Sequence, residues 1–129
     1  MILYHFTSIV HLPRIKEAGF LKLTESNLHL TIPHYGPDVV WFTTEESARL
    51  GHGLFGHVDK TEIRFTVDLP DHWVKSWLSW AEGQGMDREW MGYIIEAGGG
   101  MEAAETWRVT FRPVRQDCWV SIDREGVLV

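Results

Sequence analysis

The sequence predicts an α+β fold in one domain spanning residues 1–129, with strands dominating the C-terminal part. Three observations predict it. Residues 61–69 alternate apolar and polar side chains, as a half-buried strand does. The segment ending at Gly19 has Pro13 at its start and a glycine stop, as short helices have. The length suits one domain, and no repeat or linker-like tract marks a boundary.

The first half of the chain is predicted to alternate short strands with short helices. In order, these elements are a strand over 1–6, a helix over 13–18, a strand over 20–23, a loop over 24–38 and a strand over 39–44. Thr44 resembles an N-cap, with two acidic residues following it at the positive end of a helix. That helix is short, because glycines follow from Gly51 onward.

The second half is predicted to add three strands and two helices. Strand 61–69 ends at Pro70, and Trp73, Trp77 and Trp80 follow at spacings that place them on one helical stripe within 72–81. A helix over 87–97 is capped by Asp87. After three glycines, strands over 106–111 and 118–122 are expected to pair antiparallel.

Composition and charge exclude several classes of function. The formal charge is −6, which argues against general affinity for DNA or RNA, since that requires a basic surface. No apolar run approaches the roughly 20 residues of a membrane span, and the N-terminus lacks the pattern of a signal peptide. The one cysteine, Cys118, cannot form an internal disulfide. We therefore expect a cytoplasmic protein that does not bind membranes.

Aromatic and polar residues on two predicted strands are the first candidates for a site. His5 and Thr7 end the first strand and can bond a ribose hydroxyl or the backbone, although a lone His beside an apolar strand is more often structural. Trp41 and Phe42 can stack against a flat heterocycle, and core packing is an equally good interpretation of each.

A carboxylate after the glycine run is the second candidate. Gly98–Gly100 indicate a pliable loop rather than a packing device, with a solvent-exposed turn as the alternative, and this loop leads into a strand that carries Glu105. A carboxylate so placed can accept hydrogen bonds from sugar hydroxyls and stabilise an oxocarbenium ion, with Glu102 able to assist. The glycines match neither the dinucleotide-binding fingerprint nor a P-loop, so both are rejected.

Other chemical interpretations are weaker. Arg64 lies on the polar side of its strand and is either solvated or positioned to hold a pyrophosphate or carboxylate. His52, His57 and His72 lack the spacing of a metal site, so no metal is expected. The tryptophan stripe is best explained as a packing face, with a surface for a partner protein as its alternative.

The motifs together resemble small ADP-ribosyltransferase-like proteins. YHFT at 4–7, followed by HLPRI at 11–15 and EAGFL at 17–21, is similar to the opening strand and helix of the DarT group of DNA ADP-ribosyltransferases and of RNA 2′-phosphotransferases. Residues 39–44 resemble the second core strand of that family, and Glu105 occupies the place of its final catalytic glutamate. The resemblance implies a split antiparallel β-sheet that binds NAD as substrate.

The resemblance also implies roles for individual residues. His5 would bind the ribose of the adenosine half of NAD, and Trp41 or Phe42 would stack on nicotinamide, where a Tyr stands in the family. Glu105 would bond the nicotinamide ribose and stabilise the oxocarbenium ion.

Two threonines complete the implied set. Thr7 would hold the nicotinamide-side contacts made by the first strand, and Thr43 stands where another branch has Ser.

The expected activity is NAD-dependent mono-ADP-ribosylation. The acceptor is unknown; the short chain and its charge of −6 favour a protein or small molecule over DNA or RNA. Small toxin and phage members of the family imply a role in bacterial conflict. Two other classes stay open: an inactive relative that binds a nucleotide or a partner, and an interaction module, such as an inhibitor or immunity protein, that docks through the tryptophan stripe.

Overall fold

The strands of the described chain form two antiparallel sheets. A computed structural model describes residues 1–23, 39–47 and 61–129. Its strands are β1 Ile2–Thr7, β2 Phe20–Leu21, β3 Val40–Thr43, β4 Ile63–Asp68, β5 Lys75–Ser76, β6 Trp107–Thr110, β7 Val114–Arg115, β8 Trp119–Arg124 and β9 Val127–Leu128. The helices are α1 Leu12–Ala18, α2 Trp77–Gly83, α3 Arg88–Ala97 and α4 Met101–Ala104.

The larger sheet has seven strands in the order β5-β6-β3-β1-β4-β8-β9, and β2 pairs with β7 in a separate two-stranded sheet. Every pair is antiparallel. The predicted α+β class with an antiparallel sheet is therefore confirmed.

The two faces of the larger sheet pack against different parts of the chain. Leu3, Phe42 and Phe65 belong to a core cluster that also contains Leu12 of α1 and Val114 of β7. On the opposite face, buried residues of β6 and the helical segments form a second cluster, whose members are Val39, Trp77, Ala81, Met86, Met91, Ala104, Trp107 and Val109. The sheet thus lies between α1 with the small sheet on one side and α2–α4 on the other.

Two helices follow the predicted capping chemistry. Helix α1 has Pro13 in its first turn and ends at Gly19, which adopts a left-handed conformation with φ 77°. Helix α3 begins after Asp87, whose carboxylate accepts the backbone N–H of Trp90 at 3.0 Å. Both helices are confirmed, with ends within one or two residues of prediction.

The three tryptophans of the predicted stripe pack against the core, as the preferred interpretation expected, but the prediction that one helix carries all three is wrong. Helix α2 begins only at Trp77, while Trp73 lies in a preceding 3-10 turn over Asp71–Trp73. Trp73 packs against the first core cluster, whereas Trp77 and Trp80 belong to the second. Trp77 is buried, so these residues do not form one exposed helical surface. The short strand β5 interrupts the helix because it pairs with β6.

The predicted pairing of the last two long strands was also wrong. Strand β6 pairs with β3 and β5, while β8 pairs with β4 and β9 on the other side of β1. Between them, β7 leaves the larger sheet to pair with β2.

Several predictions fall on residues outside the described ranges. They include the loop over 24–38, the later part of the helix predicted after Thr44, and both His52 and His57. Residues 45–47, which are described, are not helical, so the predicted helix start at Thr44 is wrong. Among the residues that are described, no three His, Cys, Asp or Glu side chains converge as metal ligands. In the same ranges, no helix has the length and apolar character needed to cross a bilayer.

Candidate functional site

Two central strands of the larger sheet are joined by a single registered residue pair, and we call this place the β1–β3 opening. Strands β1 and β3 share one registered pair in the described chain, Tyr4 opposite Thr43, and the ladder is not continued beyond it. In contrast, β1 pairs with β4 along its whole length. A hollow of about 60 Å³ lies at this β1–β3 opening. Its lining residues are Tyr4, His5, Phe6, Trp41, Phe42, Thr43 and Trp107.

The imidazole of His5 occupies the β1–β3 opening. Its Nδ1 lies 2.7 Å from the carbonyl oxygen of Trp41 on β3, which accepts a hydrogen bond from it. The ring also meets Phe42 and Phe65 edge to face, at 5.7 and 6.3 Å between centroids. Burial among these rings lowers the pKa of His5, and the bond to the carbonyl only partly opposes the shift.

The hydrogen bond of His5 fixes the tautomer of the neutral ring. A carbonyl oxygen only accepts, so Nδ1 must carry the proton. The second ring nitrogen, Nε2, is then an acceptor. The ring of His5 can therefore receive a hydrogen bond from a hydroxyl group in the hollow.

An aromatic cluster forms one wall of the hollow. Trp107 meets Trp41 edge to face at 5.9 Å and Trp77 at 5.3 Å, and Trp41 lies tilted against Trp77 at 5.7 Å. Trp41 is half-buried, whereas Phe42 is only 3% exposed and packs in the first core cluster. Of the two predicted stacking residues, Trp41 is therefore the one with ring surface open to a ligand.

Glu105 lies at the turn between α4 and β6. Its side chain is exposed and is not among the residues that line the hollow. Two positions later, Trp107 does line it, and the backbone N–H of Thr44 donates to the carbonyl of Thr106 at 3.0 Å. The turn that carries Glu105 is thus attached to the end of β3, beside the hollow.

The first glycine of the run before Glu105 is a packing device, contrary to the sequence-based prediction. Gly98 is buried, and a Cβ at this position would collide with the indole ring of Trp107. Gly99 and Gly100 have φ values of 110° and 91°, which side chains rarely adopt. Only a residue without a side chain fits at position 98 beside Trp107, whereas a Cβ at Gly100 would meet no atom within 4 Å.

Arg64 and Phe65 are consecutive on β4, so their side chains lie on opposite faces of the sheet. Phe65 pairs with His5 and Arg64 pairs with Phe6, so Arg64 lies on the face opposite to Phe65. Its Nε and Nη2 donate to one oxygen of the buried Asp123 at 3.1 and 2.9 Å, and Nη1 donates to the carbonyl of Glu46 at 2.9 Å. The guanidinium also lies 5.4 Å from the ring centroid of Tyr4. These contacts favour the structural interpretation of Arg64.

The structure brings four of the seven predicted site residues to one hollow, namely His5, Trp41, Phe42 and Thr43. Glu105 lies outside the lining, on the turn two positions before Trp107, and Arg64 has partners of its own. Thr7 is buried at the end of β1, opposite Ile63, and does not line the hollow.

Sequence reasoning gave no site role to Tyr4, Phe6 or Trp107, which complete the lining. Tyr4 and Phe6 flank His5 in sequence, and alternation along the strand would have placed their side chains on the face opposite to His5. They border the hollow because it passes between two strands rather than over one face. The available signal was the aromatic character of both segments.

Comparisons with protein-family models, with curated proteins and with solved structures gave no match to this chain.

Proposed function

We propose that this protein is an NAD-dependent mono-ADP-ribosyltransferase with a split-sheet fold of the ADP-ribosyltransferase kind. The observation that carries the proposal is the β1–β3 opening, in which His5 and Trp41 line one hollow. Glu105 stands two residues before Trp107 of the same lining. A split sheet with a His, an aromatic residue and a Glu in this order is what the sequence resemblance implies.

Each of these side chains suits a different part of NAD. The Nε2 acceptor of His5 is suited to a ribose hydroxyl, and the half-buried ring of Trp41 is suited to stacking on a flat heterocycle. The hollow is smaller than the roughly 300–1,000 Å³ of typical ligand pockets, so it seats one part of the dinucleotide. The remainder of NAD would lie outside the hollow.

The chemistry needs charge placement more than proton transfer. The bond between the ribose C1 and the nicotinamide nitrogen breaks, and nicotinamide leaves with the electron pair. The carboxylate of Glu105 stabilises the resulting oxocarbenium ion and orients a ribose hydroxyl. An acceptor nucleophile then bonds to C1 and releases a proton. The net charge of −6 favours a protein or small-molecule acceptor over nucleic acid.

The test is nicotinamide release from NAD by the wild-type protein and by Glu105→Gln. The variant removes the charge and keeps the shape, so we expect release to fall at least about 100-fold with an unchanged melting temperature. Glu96→Gln, an exposed carboxylate change on α3, is the matched control and should leave release unchanged. Wild-type release at the uncatalysed rate, or normal release by Glu105→Gln, would refute the proposal.

The acceptor is sought with NAD labelled in its adenylate group and incubated with a bacterial lysate. We expect the label on protein or on small molecules. Label on nucleic acid would contradict the argument from charge and leave the NAD chemistry in place.

A nucleotide-binding module without chemistry is the second candidate. The small hollow and the exposure of Glu105 outside its lining favour it. Calorimetry that detects NAD binding together with an absence of nicotinamide release would support this candidate over the enzyme.

A further inference from the structure

Four groups form a directed chain of hydrogen bonds across the end of β3. The backbone N–H of Glu45 donates to Oγ1 of Thr43 at 3.1 Å, and that hydroxyl lies 2.9 Å from Oγ1 of Thr106. Thr106 in turn donates to the carbonyl of Ala103 at 2.7 Å. This chain of hydrogen bonds joins β3 to the last turn of α4. Its two threonines are 63 positions apart in the sequence.

The direction of this chain follows from its last member. The carbonyl of Ala103 can only accept, so the single hydroxyl proton of Thr106 is used there. The bond between the two hydroxyls therefore takes its proton from Thr43. Both hydroxyl protons are engaged, which gives each side chain one defined orientation.

The residue enclosed by these contacts is Glu105. Its N–H donates to the carbonyl of Met101 at 3.0 Å, and its own carbonyl accepts Nη1 of Arg108 at 2.8 Å. The following residue, Thr106, is tied through its side chain to Thr43 and through its carbonyl to the N–H of Thr44. The backbone of Glu105 is thus fixed on both sides, while its carboxylate remains exposed.

We infer that Thr106 is a positioning residue that fixes the turn carrying Glu105 against the end of β3 through its bond to Thr43. The inference rests on the proposed function. Thr106 touches neither substrate nor reacting atoms; it acts through the turn that carries Glu105. A catalytic carboxylate needs such support, because a displacement of about 1 Å at the reacting centre can cost on the order of 100-fold in rate.

The test compares Thr106→Val and Thr106→Ser in steady-state nicotinamide release. Valine keeps the shape and removes the hydroxyl, so we expect kcat to fall by about 10- to 100-fold with the KM for NAD within about twofold. Serine keeps the hydroxyl and should restore most of kcat. A structural role alone would not give a kcat loss that serine rescues.

The matched control is Thr110→Val on the same strand. Thr110 is buried, and its hydroxyl donates to the carbonyl of Arg112 at 3.1 Å, at the end of β6 away from Glu105. Like Thr106→Val, this variant loses one hydrogen bond from a threonine hydroxyl to a backbone carbonyl. We therefore expect Thr110→Val to lower the melting temperature about as much as Thr106→Val does, with kcat unchanged. Thr43→Val removes the other end of the bond to Thr106 and should reproduce the kcat loss with the KM for NAD within about twofold. Because Thr43 also lines the hollow, a Thr43→Val variant that raises KM without lowering kcat would count against the positioning role.

The outcomes separate the two proposals. Wild-type protein that releases no nicotinamide would overturn the proposed function and this inference with it. Active wild-type protein together with a Thr106→Val kcat no lower than that of Thr110→Val would overturn the positioning role alone.

Discussion

Replacing Gly98 with alanine tests the packing between the glycine turn and the aromatic wall of the hollow. The backbone at Gly98 has φ −88° and ψ 4°, which alanine also adopts, so the change adds no backbone strain. The new Cβ would instead collide with two carbons of the Trp107 ring and approach the carbonyl of Ile94 to 3.2 Å. The effect of the substitution is therefore steric.

The magnitude follows from how little room Trp107 has to move. Its ring is 5% exposed and is held between Trp41 and Trp77 at 5.9 and 5.3 Å. Inserting one methyl group into such packing costs about 1–3 kcal/mol. For 129 residues each kcal/mol corresponds to about 4 °C, so Gly98→Ala should lower the melting temperature by about 4–12 °C.

The assay is thermal unfolding followed by tryptophan fluorescence and circular dichroism. Gly92→Ala is the matched control, because Gly92 is exposed within α3 and a Cβ there would have no neighbour within 4 Å. Removing a glycine from a helix stabilises by about 0.5–1 kcal/mol, so this control should melt about 2–4 °C higher. A Gly98→Ala protein that melts at or above the wild-type temperature would refute the close packing on Trp107.

Three further substitutions test capping, titration and the buried ion pair. Asp87→Ala removes the carboxylate that accepts the Trp90 N–H and should cost about 1 kcal/mol in urea unfolding; an unchanged midpoint would contradict the cap. Burial lowers the pKa of His5, so the unfolded chain binds its proton more tightly and wild-type stability is lost as pH falls below 6.5. His5→Gln should lose less stability between about pH 7.5 and pH 5, whereas parallel curves would argue against a buried neutral imidazole. Arg64→Met deprives the buried Asp123 of two bonds and should cost about 1–3 kcal/mol with NAD binding retained, measured by urea unfolding and calorimetry; lost NAD binding would instead support a ligand role.

Local patterns predicted the elements of this fold well. The alternation in 61–69 became β4, and the cap at Asp87 and the stop at Gly19 mark the ends of helices. Each of these depends on side chains within a few residues, which the sequence displays directly. The predicted residues on β1 and β3 meet at one hollow, which local patterns alone did not determine, because each strand was identified separately.

Long-range pairing is what the sequence left undetermined. Nothing in the pattern of 106–111 distinguishes β3 from β8 as a partner, and the wrong one was predicted. The role of Gly98 depends on contact with Trp107, nine positions away on another element. A glycine that avoids a ring and a glycine in a flexible loop look the same in sequence.

Two backbone carbonyls set the directions of the hydrogen bonds at and beside the β1–β3 opening. The carbonyl of Trp41 decides which nitrogen of His5 carries the proton, and the carbonyl of Ala103 decides the direction of the threonine chain beside Glu105. Both carbonyls belong to elements whose positions depend on how β3 lies against its neighbours. A substitution that brings β1 and β3 together would therefore both remove the hydrogen bond of His5 to Trp41 and fill the hollow. It would do so without changing any polar side chain.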